Sequence, residues 1–224
     1  MNAHWDWHYV HEILPILGEA ALITLQATLL GFALALVIGL VLAVCRMAAN
    51  PLVRHAAAAV VEFIRSTPLL IQIFFLYYGL PEFGLALDAM LAGLIAIGLH
   101  YGAYCAEVYR AGIDNVPRGQ WEAAAALNLS PQATFRRIIL PQAIPPIVPA
   151  LGNYLVALFK ETPLLSAIGV LELMQTAKIL GSESFQYTEP ITLVGLYFLV
   201  FSLLSSGLIR LLERRLGVRA ASRS

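Results

Sequence analysis

The feature that most constrains this chain is a long segment, residues 20–45, that contains no charged side chain. A helix needs about 20 apolar residues to cross the hydrocarbon core of a bilayer, and this segment is long enough. Four further segments come close to that length, at approximately 60–80, 88–107, 141–160 and 190–210. None alternates between apolar and polar residues as a transmembrane β-strand does. The pattern predicts an all-α membrane protein, a single domain of residues 1–224 with five transmembrane helices.

The composition agrees with a membrane environment. Of the 224 residues, 59% are hydrophobic and 12% are charged, whereas about 25% are charged in a typical soluble domain. This composition indicates contact with membrane lipid. Lys plus Arg number 14, as do Asp plus Glu, so the charge balance indicates no nucleic acid partner. Cys45 and Cys105 show no metal-binding or redox spacing and are expected to be buried thiols.

The basic residues are distributed unevenly between the segments that join the predicted helices. If these segments alternate between the two sides of the membrane, one side receives every basic residue except Lys160 and Lys178. Cytoplasmic segments carry the excess of Lys and Arg in membrane proteins. We therefore expect the N-terminus outside and the C-terminus in the cytoplasm. The residues assigned to the cytoplasmic side are Arg46, Arg54, Arg65, Arg110, Arg118, Arg136, Arg137, Arg210, Arg214, Arg215, Arg219 and Arg223.

The segment between the third and fourth predicted helices, residues 118–141, has the local signals of a helix, a hinge and a second helix. Residues 120–127 are nearly all strong helix formers, and Asn128 favours the left-handed conformation that ends a helix. Ser130 is a suitable N-cap, and Pro131 follows it at the first helical position. A connection this long and this ordered is more often functional than a passive spacer.

The same segment carries a spaced motif: Glu-Ala-Ala, three residues, Asn128, nine residues, Ile138, one residue, and Leu-Pro. It resembles the EAA loop of binding-protein-dependent ABC importer permeases, which have glycine where Asn128 stands. The resemblance implies the type I ABC importer transmembrane fold, with an ATPase docking on this coupling loop. An amphipathic hairpin at the membrane interface is the alternative. The residues that the resemblance assigns to ATPase coupling are Glu122, Ala123, Ala124, Asn128, Ile138, Leu140 and Pro141.

The resemblance extends over most of the chain. Residues 63–81, 102–124 and 151–173 are similar to the polar amino acid permease family. This implies a permease in the bacterial inner membrane that carries polar amino acids or related small zwitterions by alternating access. A permease of the same family for a compatible solute such as ectoine is an alternative. A secondary transporter would be expected to show inverted repeats and more spans, and an intramembrane enzyme would require a facing catalytic pair.

The source of energy is expected to lie outside this chain. The sequence contains no phosphate-binding loop of the form GxxxxGK[ST], so the chain is not expected to bind ATP in that way or to act as an enzyme. The resemblance implies that ATP and Mg are used by a cytoplasmic ATPase dimer, and that an extracytoplasmic solute-binding protein delivers the solute. Five helices are too few to enclose a pathway, so a second permease copy or a sister permease is expected.

Polar residues in the second predicted helix are candidates for the transport pathway, because such residues are costly in a bilayer. Glu62 and Arg65 are three residues apart and are expected to pair with each other at the cytoplasmic end. Gln72 lies deeper in the same helix. A self-neutralising structural pair explains the two charged residues as well as a role in gating does.

The fourth predicted helix supplies the remaining candidates. The prolines at 145, 146 and 149 are expected to break this helix near Asn153 and to free backbone carbonyls for a ligand. Lys160, Glu161 and Thr162 follow on the outer side and resemble the family's segment at the external end of the pathway. Packing explains the prolines equally well, and a lysine paired with its neighbour at the interface explains the charges.

A histidine cluster near the N-terminus does not indicate a metal site. His4, His8 and His11 would share one face of a helix, but the aromatic residues between them are typical of a membrane interface. Helical spacing of histidines without supporting ligands is weak evidence for metal binding. We expect no metal and no cofactor in this chain.

Overall fold

A computed structural model describes residues 5–215, and every regular element in that range is helical. His4, Arg219 and Arg223 lie outside the described residues. The helices are α1 (Trp7–Arg46), α2 (Pro51–Arg65), α3 (Leu69–Phe74), α4 (Ala89–Asp114), α5 (Arg118–Ala126), α6 (Pro131–Thr134), α7 (Leu140–Glu161), α8 (Leu173–Ser184) and α9 (Thr188–Arg215). Short π-helical and 3-10 turns continue α3 (Phe75–Gly79, Leu80–Phe83), join α6 to α7 (Phe135–Ile139), and follow α7 (Thr162–Ile168).

The helical class predicted from the sequence is confirmed for the described residues. Four segments are long and apolar enough to cross a membrane: α1, α4, Pro131–Ile168 and α9. A fifth span is obtained if α2 and the segment Leu69–Phe83, which meet at a bend of 103°, are taken together. Many leucines of α1 and α9 are exposed, as expected of helices that face lipid.

Helix α1 begins well before the charge-free segment that identified it. Asp6 caps its first turn, because the Asp6 carboxylate accepts hydrogen bonds from the backbone N–H groups of His8 and Tyr9. At 40 residues, α1 is about 60 Å long, roughly twice the thickness of the hydrocarbon core. Its first turns pack in an apolar cluster with α8 and α9 that includes Leu17 and Leu173.

Close backbone contact joins α1 to α4 in the core. A Cβ atom at Gly39 would lie 2.6 Å from the Cβ of Cys105 and 2.9 Å from the carbonyl oxygen of Gly102, so the two helices approach as closely as glycine allows. Small residues permit such approach between membrane helices. Cys105 is a buried free thiol as predicted, whereas the free thiol Cys45 is only half-buried.

The second predicted helix is not one straight helix. α2 ends at Arg65, and Pro68 has an extended backbone (ψ 140°) at the start of α3. The residue before a proline is disfavoured in the helical conformation, which explains a break at Thr67. The Gln72 side chain covers the break, since its Nε2 donates to the Ile64 carbonyl oxygen (2.8 Å) and to Thr67 Oγ1 (2.7 Å).

The fourth predicted helix is unbroken, which corrects the expectation drawn from its prolines. α7 runs continuously from Leu140 to Glu161 with Pro145, Pro146 and Pro149 inside it. Each proline removes one N–H donor but has a φ angle that a helix accepts, and membrane helices tolerate the loss. The broken helix of this fold is therefore the α2–α3 pair.

Candidate functional site

A cavity of about 450 Å³ lies at the break between α2 and α3. The cavity is lined by residues at this break, by residues from the middle of α4, and by residues from the end of α7 and just after it. The polar lining residues are Arg65, Ser66, Thr67, His100, Tyr104 and Glu161; the others are Pro68 and three leucines. The volume lies in the range of small-molecule sites, and the wall carries one basic and one acidic side chain.

Arg65 reaches the cavity from the last residue of α2. Its guanidinium carbon lies 5.2 Å from the ring centre of Tyr104, a cation–π distance. Its Nη1 atom lies 3.5 Å from Glu107 Oε1. The Glu107 carboxylate has two closer cations, Arg46 and Arg110, the latter at 3.0 Å. Glu107 is therefore neutralised without Arg65, which keeps positive charge for the cavity.

Glu161 reaches the cavity from the last residue of α7. Its Oε2 atom is buried and has no hydrogen-bond partner among the described residues. No ion pair joins Glu161 to Arg65 within residues 5–215, although both line the same cavity. The sequence separated the two residues, placing Arg65 at the cytoplasmic end and Glu161 at the outer end. The break after α2 brings them to one site.

The other predicted pathway residues lie elsewhere. Glu62 is exposed and, in the described part of the chain, forms no ion pair, so the expected Glu62–Arg65 pair is replaced by the Arg65–Glu107 contact. Asn153 and Lys160 are exposed, and neither lines the cavity. Lys160 does not pair with its neighbour Glu161 among the described ion pairs.

Gln72 and Thr162 have structural hydrogen bonds. Gln72 covers the break, as described above, and lines a second cavity, which is mostly apolar. Thr162 is fully buried, and its hydroxyl donates to the Phe159 carbonyl oxygen at 2.8 Å. Neither residue lines the polar cavity.

Sequence reasoning missed His100 and Tyr104. His100 lies inside the third predicted helix (88–107), and its spacing to other residues suggests no catalytic partner. The signal that could have found it is the free-energy cost of a polar side chain deep in a transmembrane helix, which requires a partner or a cavity. His100 is 9% exposed, and its ring lies 5.3 Å from that of Tyr104, centre to centre.

The coupling-loop segment has the predicted helix, hinge and helix. Asn128 is left-handed (φ 53°) and follows the end of α5. The Leu129 N–H donates to the Ala124 carbonyl oxygen at 3.1 Å, which closes the helix end. Ser130 caps α6 by accepting from the Ala133 N–H, with Pro131 at the first helical position. The local signals were sufficient here.

The residues of the motif divide between an outer and an inner surface. Glu122 and Ala123 are exposed, whereas Ala124 is 1% exposed and packs within this chain. Ala124 is therefore not part of the exposed surface of α5 in this chain, and its role in ATPase coupling stays a prediction. Two large apolar side chains missed by the motif, Trp121 and Leu127, are exposed on α5 and its cap.

The second half of the motif fastens the loop to α7. Ile138 packs against a buried apolar cluster of Val116, Ala143, Ile147 and its own neighbour Ile139. Leu140 begins α7 and lines an apolar groove beside α1, and Pro141 is exposed at the next position. A force on α5 or α6 would therefore reach α7 through packed side chains.

Comparison with known proteins identifies the class of membrane protein. Residues 35–218 match the family described as binding-protein-dependent transport system inner membrane component. The chain belongs to this family. It is an integral, multi-pass component of the bacterial inner membrane and a transport subunit, whose ATPase is a separate protein. As an ABC importer permease it works in general with ATPase and binding-protein partners.

Curated relatives of this permease cover nearly the whole chain. It is 47% identical over 208 residues to the probable amino-acid ABC transporter permease protein y4tG of Sinorhizobium fredii (strain NBRC 101917 / NGR234), covering 93% of this chain and 90% of the relative. It is 35% identical over 216 residues to the glutamine transport system permease protein GlnP of Escherichia coli (strain K12), covering 96% and 99%. The permease is therefore a subunit of an amino-acid ABC importer.

Solved structures agree with the fold. A crystal structure of an amino acid ABC transporter with histidines matches with a TM-score of 0.90 and 35% identity, over 95% of this permease and 99% of that chain. The MetNI methionine ABC transporter in an inward-facing conformation matches with a TM-score of 0.71 and 20% identity, over the same shares of the two chains. The second match shows the fold alone, that of type I ABC importer permeases.

Proposed function

We propose that this permease carries a small zwitterionic amino acid through the cavity that Arg65 and Glu161 line. The observation that carries the proposal is that these two residues line one cavity but form no ion pair with each other within the described residues. The Glu161 carboxylate has a buried oxygen without a partner among the described residues, and a buried charge is costly unless it is paired. A ligand with a carboxylate for Arg65 and an ammonium group for Glu161 would neutralise both.

A ligand with only one charge would leave one wall of the cavity uncompensated. An apolar ligand would leave both charged side chains of the cavity without a partner in the ligand. The names of the relatives, an amino-acid permease and a glutamine permease, agree with a zwitterionic solute. Ectoine also carries both signs of charge and meets the same requirement, so it belongs in the set of solutes to be tested.

We propose that transport is driven by an ATPase dimer that docks on residues 118–141. The exposed Glu122 and Ala123 and the apolar side chains Trp121 and Leu127 offer it a mixed polar and apolar surface. ATP and Mg would be used in that partner. Movement of the docked ATPase would reach α7 through Ile138 and its cluster, and α7 ends at Glu161 in the cavity. A second permease, either a copy or a sister chain, completes the pathway in this scheme.

Uptake by the reconstituted importer tests the proposal. The permease would be assembled in proteoliposomes with its ATPase and binding protein, and uptake of labelled glutamine, histidine and ectoine compared. Glu161→Gln should lower uptake of the transported solute by about tenfold or more, because a charge-assisted hydrogen bond is lost. Glu62→Gln is the matched control, since Glu62 is exposed and outside the cavity. Equal uptake by Glu161→Gln and wild type would contradict the proposal.

A further inference from the structure

His100 is the most buried polar side chain of the cavity that is assigned no role above. It lies near the middle of α4, is 9% exposed, and lines the cavity. The rings of Tyr101 and Tyr104 hold it, with centres 5.7 Å and 5.3 Å away. A histidine placed this deep in a membrane helix has a cost that packing alone does not offset.

The two ring nitrogens of His100 have different surroundings. Nδ1 is buried and has no hydrogen-bond partner among the described residues. Nε2 is not among the buried, unpartnered atoms, and no described residue hydrogen bonds to it. Because His100 lines the cavity, Nε2 is the nitrogen that a ligand there can reach.

These surroundings determine where the imidazole proton is carried. A proton on Nδ1 would bury an N–H group without an acceptor, which is among the costly arrangements in a protein interior. A proton on Nε2 places the N–H where a ligand in the cavity can accept it. His100 is therefore a hydrogen-bond donor to the cavity.

The charges of the cavity restrict the ligand further. Of the described residues that line it, Arg65 is the cation and Glu161 the anion, and the main-chain carboxylate and ammonium groups of an amino acid use both. A ligand side chain with a second positive or negative charge would find no counter-ion. A side chain with an uncharged acceptor oxygen, such as an amide or a hydroxyl, satisfies the His100 N–H.

We propose that His100 is a specificity-determining residue, which favours amino acids whose uncharged side chain accepts a hydrogen bond. This inference rests on the proposed function, because it assumes that Arg65 and Glu161 hold the main-chain charges of the ligand. It assigns to α4 the selection of the side chain, and to α2 and α7 the binding of the groups that all amino acids share.

Equilibrium binding to the purified full chain in lipid nanodiscs tests this role. L-Glutamine and L-norleucine are similar in length, but only glutamine has a side-chain acceptor. The wild type should bind glutamine about tenfold more tightly, since a hydrogen bond to an uncharged group contributes on that order. His100→Phe keeps an aromatic ring against the tyrosines and should abolish the difference. His100→Gln keeps an N–H donor near the position of Nε2 and should retain it.

Glu161→Gln separates this inference from the proposed function. It should weaken both amino acids equally, since both have the α-ammonium group. If Glu161→Gln weakens both while His100→Phe leaves the ratio of the two Kd values unchanged, the cavity binds zwitterions and the role of His100 is wrong. If the wild type binds neither amino acid, both proposals fail. Tighter binding of L-lysine or L-glutamate than of L-glutamine would contradict the charge restriction.

Discussion

Arg65 and Glu161 line one cavity from the ends of two different helices, α2 and α7, and form no ion pair with each other in the described part of the chain. Arg65 stays beside Glu107, which has closer arginine partners, and Glu161 has a buried oxygen without a partner. Two charges of opposite sign that line one cavity at a helix break, without pairing with each other, are an arrangement suited to a zwitterion. The α2–α3 bend creates this arrangement, because it places the end of α2 in the wall of the cavity.

The contact between α1 and α4 should be sensitive to a single methyl group. Gly39→Ala would place a Cβ 2.9 Å from the Gly102 carbonyl oxygen, which belongs to the backbone and cannot move away easily. We expect a loss of about 1–3 kcal/mol in the free energy of unfolding. The measurement is thermal unfolding of the purified chain in detergent. Gly195→Ala, in open space on α9, is the control and should leave Tm unchanged or slightly raised; equal effects of the two substitutions would argue against close packing.

The hinge of the coupling loop should accept glycine and reject a β-branched residue. Asn128 has φ 53°, a conformation that glycine adopts freely and that costs other residues about 1–2 kcal/mol. Asn128→Gly should therefore retain ATP-driven uptake, and Asn128→Val should reduce it several-fold by changing the path from α5 to α6. Uptake by reconstituted importers measures both. A valine variant with full uptake would show that hinge geometry is not required.

Substitutions at exposed and at buried positions of the motif should have different effects on ATPase binding and on stability. Glu122→Arg reverses an exposed charge, so it should weaken binding of the ATPase subunit by about tenfold without changing Tm. Ala124→Leu introduces a large side chain at a buried position, so it should lower Tm as well. Pull-down of the ATPase and thermal unfolding measure the two effects. The docking surface would be placed elsewhere if Glu122→Arg left ATPase binding intact.

The stability of the chain should depend on the protonation of Glu172. Glu172 is fully buried at the start of α8, and burial raises the pKa of its carboxyl from 4.5 to about 6, against the opposing effects of two backbone N–H donors and Lys178. The stabilisation is complete below pH 4.5 and is lost as the pH rises through about 6, a change of about 2 kcal/mol. Thermal unfolding between pH 4 and 8 should show this loss in the wild type. Glu172→Gln should remove that part of the pH dependence, and an unchanged pH profile would contradict the assignment.

The coupling loop could be predicted from the sequence because its signals are local. Asn128, Ser130 and Pro131 each determine the backbone within one turn, and their effects do not depend on distant residues. The burial of Ala124 was not predictable in this way, since it depends on how α5 packs against the rest of the loop.

The cavity could not be predicted because it depends on which helix breaks. The sequence predicts a break at Pro145, Pro146 and Pro149, yet α7 continues through these three residues. The chain bends instead at Pro68, between α2 and α3. A proline inside a helix and a proline after a polar pair such as Ser66 and Thr67 have different consequences, which proline count alone does not show. Arg65, His100 and Glu161 line one cavity because of tertiary packing, which no spacing rule in the sequence contains.

Binding of ligand analogues that lack one charge tests the zwitterion cavity most directly. Glutaramate is glutamine without the α-ammonium group, and 4-aminobutanamide is glutamine without the α-carboxylate. Glu161→Gln should weaken glutamine by about tenfold or more and leave glutaramate unchanged, whereas Arg65→Gln should weaken glutamine and leave 4-aminobutanamide unchanged. Kd values for the three ligands with wild type and both variants provide the test. If each variant weakened both analogues as much as glutamine, Arg65 and Glu161 would not be the residues that hold the two charges.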